Sequence, residues 1–363
     1  MGSAATLHLA RRGASVLGLE QFSLGHDRGS SHGESRIIRQ AYFEHPDYVP
    51  LLFRAYDLWN DLEQATGRTL WHRTGLILSG PQDGETISGA KLSASRHQLT
   101  LEELTSEAAT ARWPAFRFPP DHAVAFEPAA GTLLVEACVR AHLDEARRHG
   151  ADLRANETVR SWSSDGQAVV VRTDSGEYHA RSLIVTAGPW ASRCVADLGV
   201  KLDVLRKFVA WFPIHEGEFR AEQGGPTFYF EMPHGTFYGF PSLDGSTIKV
   251  AEHSGGEPVA DPAFVDRAMH SSDVNRLRAF LLAQLPGIDP EPARHSVCLY
   301  TLSPDQHFVV DLHPHWSNVA VACGFSGHGF KFAPVMGEAL ADLVQQGSTS
   351  LPISFLGLSR FAK

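Results

Sequence analysis

Along this chain the spacing of apolar positions changes repeatedly, and each change predicts an element. Residues 1–12 (MGSAATLHLARR) read as a helix with Gly13 as its stop. Ala14 to Glu20 (ASVLGLE) is a short apolar run ending in an acid, which predicts a buried strand. Residues 22–35 are rich in Gly and Ser and predict a loop. From Asp47 to Thr66, Tyr48, Leu51, Leu52, Ala55, Leu58, Trp59 and Leu62 fall on one face of a long amphipathic helix. A strand over 69–79 follows, then short helices within 84–98 and near 102–112. AVAFEP (123–128) predicts a strand, and Thr132–Arg148 a helix stopped by Gly150. Residues 152–187 read as four short strands. Residues 202–252 hold several long strands with alternating aromatics, as in KFVAWFPI and GTFYGFP. Helices fill 262–285, strands lie near 294–301, 307–311 and 318–323, and a helix closes the chain at 330–346.

This pattern is α/β at both ends and in the middle, with β-rich inserts between. It predicts a nucleotide-binding domain assembled from separated segments, with a second domain inserted. The 363 residues agree with two or three domains and can bury a core without metals or disulfides.

Charge and cysteines narrow the function classes. The net charge of −9 argues against general nucleic-acid binding, which requires neutralising phosphates. No apolar run is long enough to span a membrane, and Arg11 and Arg12 follow the first apolar stretch instead of preceding it, unlike a signal peptide. Four scattered cysteines without a CxxC pair suit a reducing cytoplasm and argue against a zinc site. His313 and His315 flank a proline and match no metal-ligand spacing, so no metal is expected. MGSAAT matches a myristoylation pattern that is too short to weigh.

The first motif is incomplete. A dinucleotide site needs strand, GxGxxG, helix, strand and acid: the glycines admit the pyrophosphate and the acid binds a ribose hydroxyl. Only its second half is present. Gly2 fits the last glycine and Glu20 the acid. The expectation is that the natural chain starts roughly ten or more residues upstream, with the first strand and two glycines.

Five blocks decide the reading. GSSHGESRIIRQAY (29–42), FYGFPS (237–242), IKVAEH (248–253), SVCLYT (296–301) and GFSGHGFKFAP (324–334) occur in this order. Together they resemble the monomeric sarcosine oxidase and N-methyltryptophan oxidase family of FAD-dependent amine oxidases, over residues 1 to about 360. The resemblance implies an α/β fold with a Rossmann-like FAD-binding domain from 1–72, 131–208 and 302–363 and a substrate domain on a mixed, mainly antiparallel sheet from 73–130 and 209–301. It also implies FAD bound covalently through a Cys298 thioether, whereas Cys323 in VAVACGF reads as plain core. It implies that Arg39 and Lys331 grip the substrate carboxylate, a fork and a point charge suited to that anion. Arg36 and His32 would lie close to the flavin ring, and Lys249 would activate oxygen, where a fixed cation favours superoxide formation. The bland reading of Lys249 is an exposed strand lysine.

Tyr238, His253 and Tyr300 match pocket positions of that family. Gly2, Glu20, Ser35, Gly188, Gly324, Ser326, Gly327, Gly329, Phe330 and Lys331 would contribute to the cofactor site. The implied reaction turns sarcosine, O2 and water into glycine, formaldehyde and H2O2. Alternatives are an oxidase of N-methyl-L-tryptophan or of a cyclic secondary amino acid such as pipecolate. A flavin-free remnant acting as a binding protein is an alternative of another class. An NAD-dependent Rossmann enzyme would leave SGHGFKF and the Cys298 context unexplained. The family precedent implies a monomer with a small-molecule substrate and O2 as its partners.

Overall fold

The computed structural model describes residues 1–215 and 217–362. The α/β portion is built on two small parallel pairings. Leu17–Leu19 runs parallel to Asp152–Arg154, and Leu183–Val185 runs parallel to Trp316–Cys323, which also pairs antiparallel with Val309–His313. The first helix, Gly2–Arg11, buries Ala4, Ala5, Leu7 and Ala10 against the helices Val135–Arg148 and Ala333–Gln346. Small residues let these axes approach: a Cβ on Gly337 would lie 2.6 Å from the Ala4 backbone.

A nine-stranded mixed sheet forms the second large layer. All its pairings are antiparallel except Leu76–Pro81 with Thr227–Met232. Period-two alternation divides its faces. Phe228, Phe230 and Phe237 pack with Phe280 of the helix Ser271–Gln284 on one face. Tyr229, Tyr238 and Trp211 pack on the other. A three-stranded sheet of Ser35–Ile38, Gly131–Leu134 and Trp71–His72 adjoins that second face. Strands Val159–Ser164, Val169–Thr173 and Glu177–Ala180 form an antiparallel meander.

Several sequence-predicted boundaries move. The expected strand 69–79 is two strands in different sheets, Trp71–His72 and Leu76–Pro81. The helix expected from Thr132 starts at Val135, because Gly131–Leu134 is taken up by a ladder with Ser35–Ile38. The helix expected near 102–112 spans Ser106–Arg112, with Thr105 as its cap accepting from Ala108 N, and Glu102–Leu104 is a strand. Residues 152–187 contain five strands, not four. The closing helix starts at Ala333; Lys331 sits in a preceding 3-10 turn, Phe330–Phe332. No helix of the described residues is long and apolar enough to cross a membrane.

Candidate active site

The C-terminal end of the first strand opens on a cleft of about 2040 Å³. Gly2, Glu20, Gly188, Gly324, Ser326, Gly327, Gly329 and Phe330 line it, and Arg36, Cys298 and Tyr300 line it as well. Three of the five sequence blocks, 29–42, 296–301 and 324–334, thus contribute to one cleft. Glu20 stands just past Leu17–Leu19, where its carboxylate accepts from Phe22 N at 3.0 Å and faces His26 at 3.4 Å.

Cys298 lies in the strand Arg294–Leu302, opposite Lys207 of Asp203–Pro213. Arg36 Nη2 donates to its sulfur at 3.1 Å and to Ser30 O at 2.9 Å. Burial alone would push the thiol up, but the positive field of Arg36, His32 and Lys249 brings its pKa down to about 6. Cys323, by contrast, is pushed up to about 12 by burial in the core. His32 is 3% exposed, and its Nε2 has no hydrogen-bond partner.

Lys249 is not the exposed strand lysine of the bland reading. It is 2% exposed, and Nζ donates to Gly33 O at 2.6 Å, Ser35 O at 2.9 Å and Ser35 Oγ at 3.3 Å. Burial and then Arg36 push it well below the usual lysine range. Ser35, expected at the cofactor, turns its oxygens to Lys249 and does not line the cleft.

A second cavity of about 60 Å³ shares Arg36, Tyr300, Gly327 and Phe330 with the cleft. Arg39, Lys331, Tyr238 and His253 complete much of its wall. Gly327 has φ of +83°, and a Cβ there would lie 2.3 Å from the Tyr300 ring, so only glycine fits this junction. Tyr300 Oη and His253 Nδ1 are 3.2 Å apart. Burial, then Lys207, pushes His253 down to about 3, so the ring is neutral. Burial raises both tyrosines.

The two expected carboxylate-binding cations are both buried here. Lys331 donates to His328 O at 2.8 Å, and burial followed by Arg39 pulls its pKa to about 7. Arg39 Nη2 donates to both Glu44 carboxylate oxygens, at 2.6 and 2.5 Å, Nη1 donates to Ala41 O at 3.1 Å, and the guanidinium lies 3.8 Å above the Phe43 ring centroid. Burial would raise Glu44, but Arg39, His328 and Lys331 hold it down near 2. The cavity therefore already presents one carboxylate to its arginine.

Sequence reading missed Glu44, Phe43, Tyr229 and His328, all on the cavity wall. It also missed Glu127, whose carboxylate accepts from Gln40 N at 2.6 Å and Ala41 N at 3.0 Å, just beyond Arg39. Glu44 and His328 each lie within five residues of a chosen cation, and that proximity was the available signal. Among the described residues no group of three or more His, Cys, Asp or Glu is arranged to hold a metal ion.

The cleft is lined by the Glu20 carboxylate, by Arg36 and by the low-pKa Cys298 thiol, and His32, with an unpartnered buried imidazole nitrogen, stands beside that thiol. Those features match an elongated, anionic, electron-accepting dinucleotide.

Comparison with known proteins agrees. Residues 1–343 match the family model described as FAD dependent oxidoreductase. A monomeric sarcosine oxidase of Streptomyces avermitilis is 41% identical, over 100% of this chain and 95% of the relative. One from Bacillus sp. (strain NS-129) is 38% identical over the same shares. An N-methyl-L-tryptophan oxidase of Salmonella dublin is 35% identical, over 100% of this chain and 97% of the relative. Among solved structures, NikD, an unusual amino acid oxidase essential for nikkomycin biosynthesis, superposes with a TM-score of 0.85 at 28% identity, covering 98% of this chain and 94% of that one. The matched model and full-length relatives, together with the cleft and its converging cations, make this chain a member of the FAD-dependent oxidoreductase family.

Proposed function

We propose that the protein is a sarcosine oxidase, converting sarcosine, O2 and water into glycine, formaldehyde and H2O2. The observation that carries this reading is the convergence of buried Arg39 and Lys331 on a small cavity sharing a wall with the cofactor cleft. A fixed carboxylate on the substrate suits that pair of cations. Two of the relatives named above are sarcosine oxidases, and both exceed the tryptophan-type relative in identity.

Arg39 and Lys331 bind the carboxylate, and Tyr238, His253 and Tyr300 flank the amine. His253, neutral through burial, orients without adding a charge that would repel a substrate ammonium. The chemistry FAD supplies when bound is acceptance of a hydride equivalent from the N-methyl carbon and delivery of two electrons to O2. Arg36 supplies fixed positive charge, and Lys249 is assigned to the oxygen half-reaction. His32 stands beside Cys298, the residue assigned to hold FAD through a thioether. Glu20 and Gly2 serve the ribose and pyrophosphate, with Gly188, Gly324, Ser326, Gly327, Gly329 and Phe330 shaping the flavin end.

The domain division at 72/73, 130/131, 208/209 and 301/302 follows from this reading. Four free cysteines support a reducing, cytoplasmic setting, and a monomer is the expected state.

The test is purified holoenzyme with sarcosine, N-methyl-L-tryptophan and pipecolate. Equal yields of formaldehyde and H2O2 from sarcosine, at the highest kcat/KM of the three, support the reading. No oxygen uptake with sarcosine overturns it. Flavin that stays with the acid-precipitated pellet supports the Cys298 assignment, and flavin released to the supernatant overturns it.

A further inference from the structure

The small cavity has a wall that the proposed chemistry does not use. Phe43 and Tyr229 lie on it with ring centroids 5.1 Å apart, and they are 8% and 6% exposed. Neither side chain touches a reacting group in the reading above, yet together they bound the space beside the cations.

Their positions are held from behind. Tyr229 sits in the strand Thr227–Met232, directly opposite Tyr238 in the neighbouring strand, so both rings face the cavity side of the sheet. Phe43 follows Tyr42, whose carbonyl accepts from Ser93 Oγ at 2.6 Å. The helix Glu85–His97 presses on the same segment through Gly89, where a Cβ would lie 2.3 Å from Phe43 O and 2.8 Å from its Cα. The Arg39 guanidinium covers the Phe43 ring on another side. The segment is therefore packed between a helix and an ion pair, and has little freedom to swing aside.

The space left is small. The cavity measures about 60 Å³. Bulk added to a glycine-sized skeleton there has to be accommodated against the Phe43 and Tyr229 rings on its wall.

We propose that Phe43 and Tyr229 form a size gate, restricting the substrate to N-methyl amino acids with hydrogen or a very small group on Cα. This rests on the sarcosine reading for its chemistry, but the gate itself is a statement about space.

The test therefore uses two kinds of ligand on wild-type holoenzyme and on Phe43→Ala, Tyr229→Ala and the double variant. In turnover, the wild-type kcat/KM should fall steeply from sarcosine to N-methyl-L-alanine to N-methyl-L-phenylalanine. Truncation should raise the phenylalanine-to-sarcosine ratio by about tenfold or more. In binding, calorimetry with acetate, isobutyrate and phenylacetate should show phenylacetate gaining at least about tenfold in the double variant, relative to acetate. Parallel shifts for large and small ligands would overturn the gate. A gain for phenylacetate without any turnover of sarcosine would uphold the gate while overturning the substrate reading. Should the double variant not fold, Tyr229→Met and Phe43→Leu apply the same ratio test with smaller volume changes.

Discussion

Arg36 Nη2 donates to Cys298 Sγ at 3.1 Å, joining a residue of the Ser35–Ile38 strand to one 262 positions later. This contact places a guanidinium against a buried thiol and accounts for much of its acidity, with His32 and Lys249 adding to the field.

With a pKa near 6 in the fold and an ordinary value of 9.0, Cys298 is thiolate at neutral pH. The sign follows from the depressed value. Its contribution to stability is complete above about pH 9 and is lost as pH falls through 6. Arg36→Met should move the midpoint for alkylation of Cys298 in flavin-free protein upward by one unit or more, about tenfold or more in the thiolate-to-thiol ratio. Mass spectrometry after iodoacetamide pulses reads this directly. An unmoved midpoint would show that His32 and Lys249 suffice.

Removing the buried cation at Lys249 should separate the two half-reactions. For Lys249→Met the expected loss is about 10²–10³-fold in flavin reoxidation, with a much smaller change in reduction by substrate. Stopped-flow absorbance under anaerobic and aerobic conditions distinguishes them, and equal losses would remove the assigned role.

Arg39 carries a fork that an ammonium cannot reproduce. Arg39→Lys should lower kcat/KM for sarcosine by about 10–100-fold, the equivalent of roughly 1.5–3 kcal/mol for a hydrogen bond to a charged group. Because Glu44 already accepts from Arg39 Nη2, Glu44→Gln should tighten binding of a simple carboxylate such as acetate. A weaker acetate affinity in Glu44→Gln would show that the glutamate orients the arginine more than it competes for it.

Lys331 should impose a pH dependence on anion binding. Its pKa near 7 means the ammonium is present below pH 7 and lost above it. The inhibition constant of acetate should therefore rise as pH passes upward through 7, and Lys331→Met should flatten that limb. Acetate has no amine to titrate in this range, so the profile reports the protein.

The helices and the alternation of the large sheet were legible because they depend on neighbours a few residues apart. Phe228, Phe230 and Phe237 alternate with Tyr229 and Tyr238, and the period alone assigns them to opposite faces. The run at Gly131–Leu134 misled because its apolar pattern also fits the start of a helix; pairing with Ser35–Ile38 decided it as a strand. Lys249 shared its face with Trp211 and Tyr238, but nothing local revealed that three oxygens from residues 33 and 35 would enclose it.

By itself, then, the sequence determined the α/β class, the alternating faces and the set of cations near the pocket, since these follow from periodicity and from motif blocks. Only the tertiary structure decided that Arg39 faces Glu44, that Cys298 lies against Arg36, and that Phe43 and Tyr229 leave about 60 Å³ beside them. The reason is geometric: such contacts join segments distant in sequence, and they depend on strand register and helix packing that no local pattern encodes.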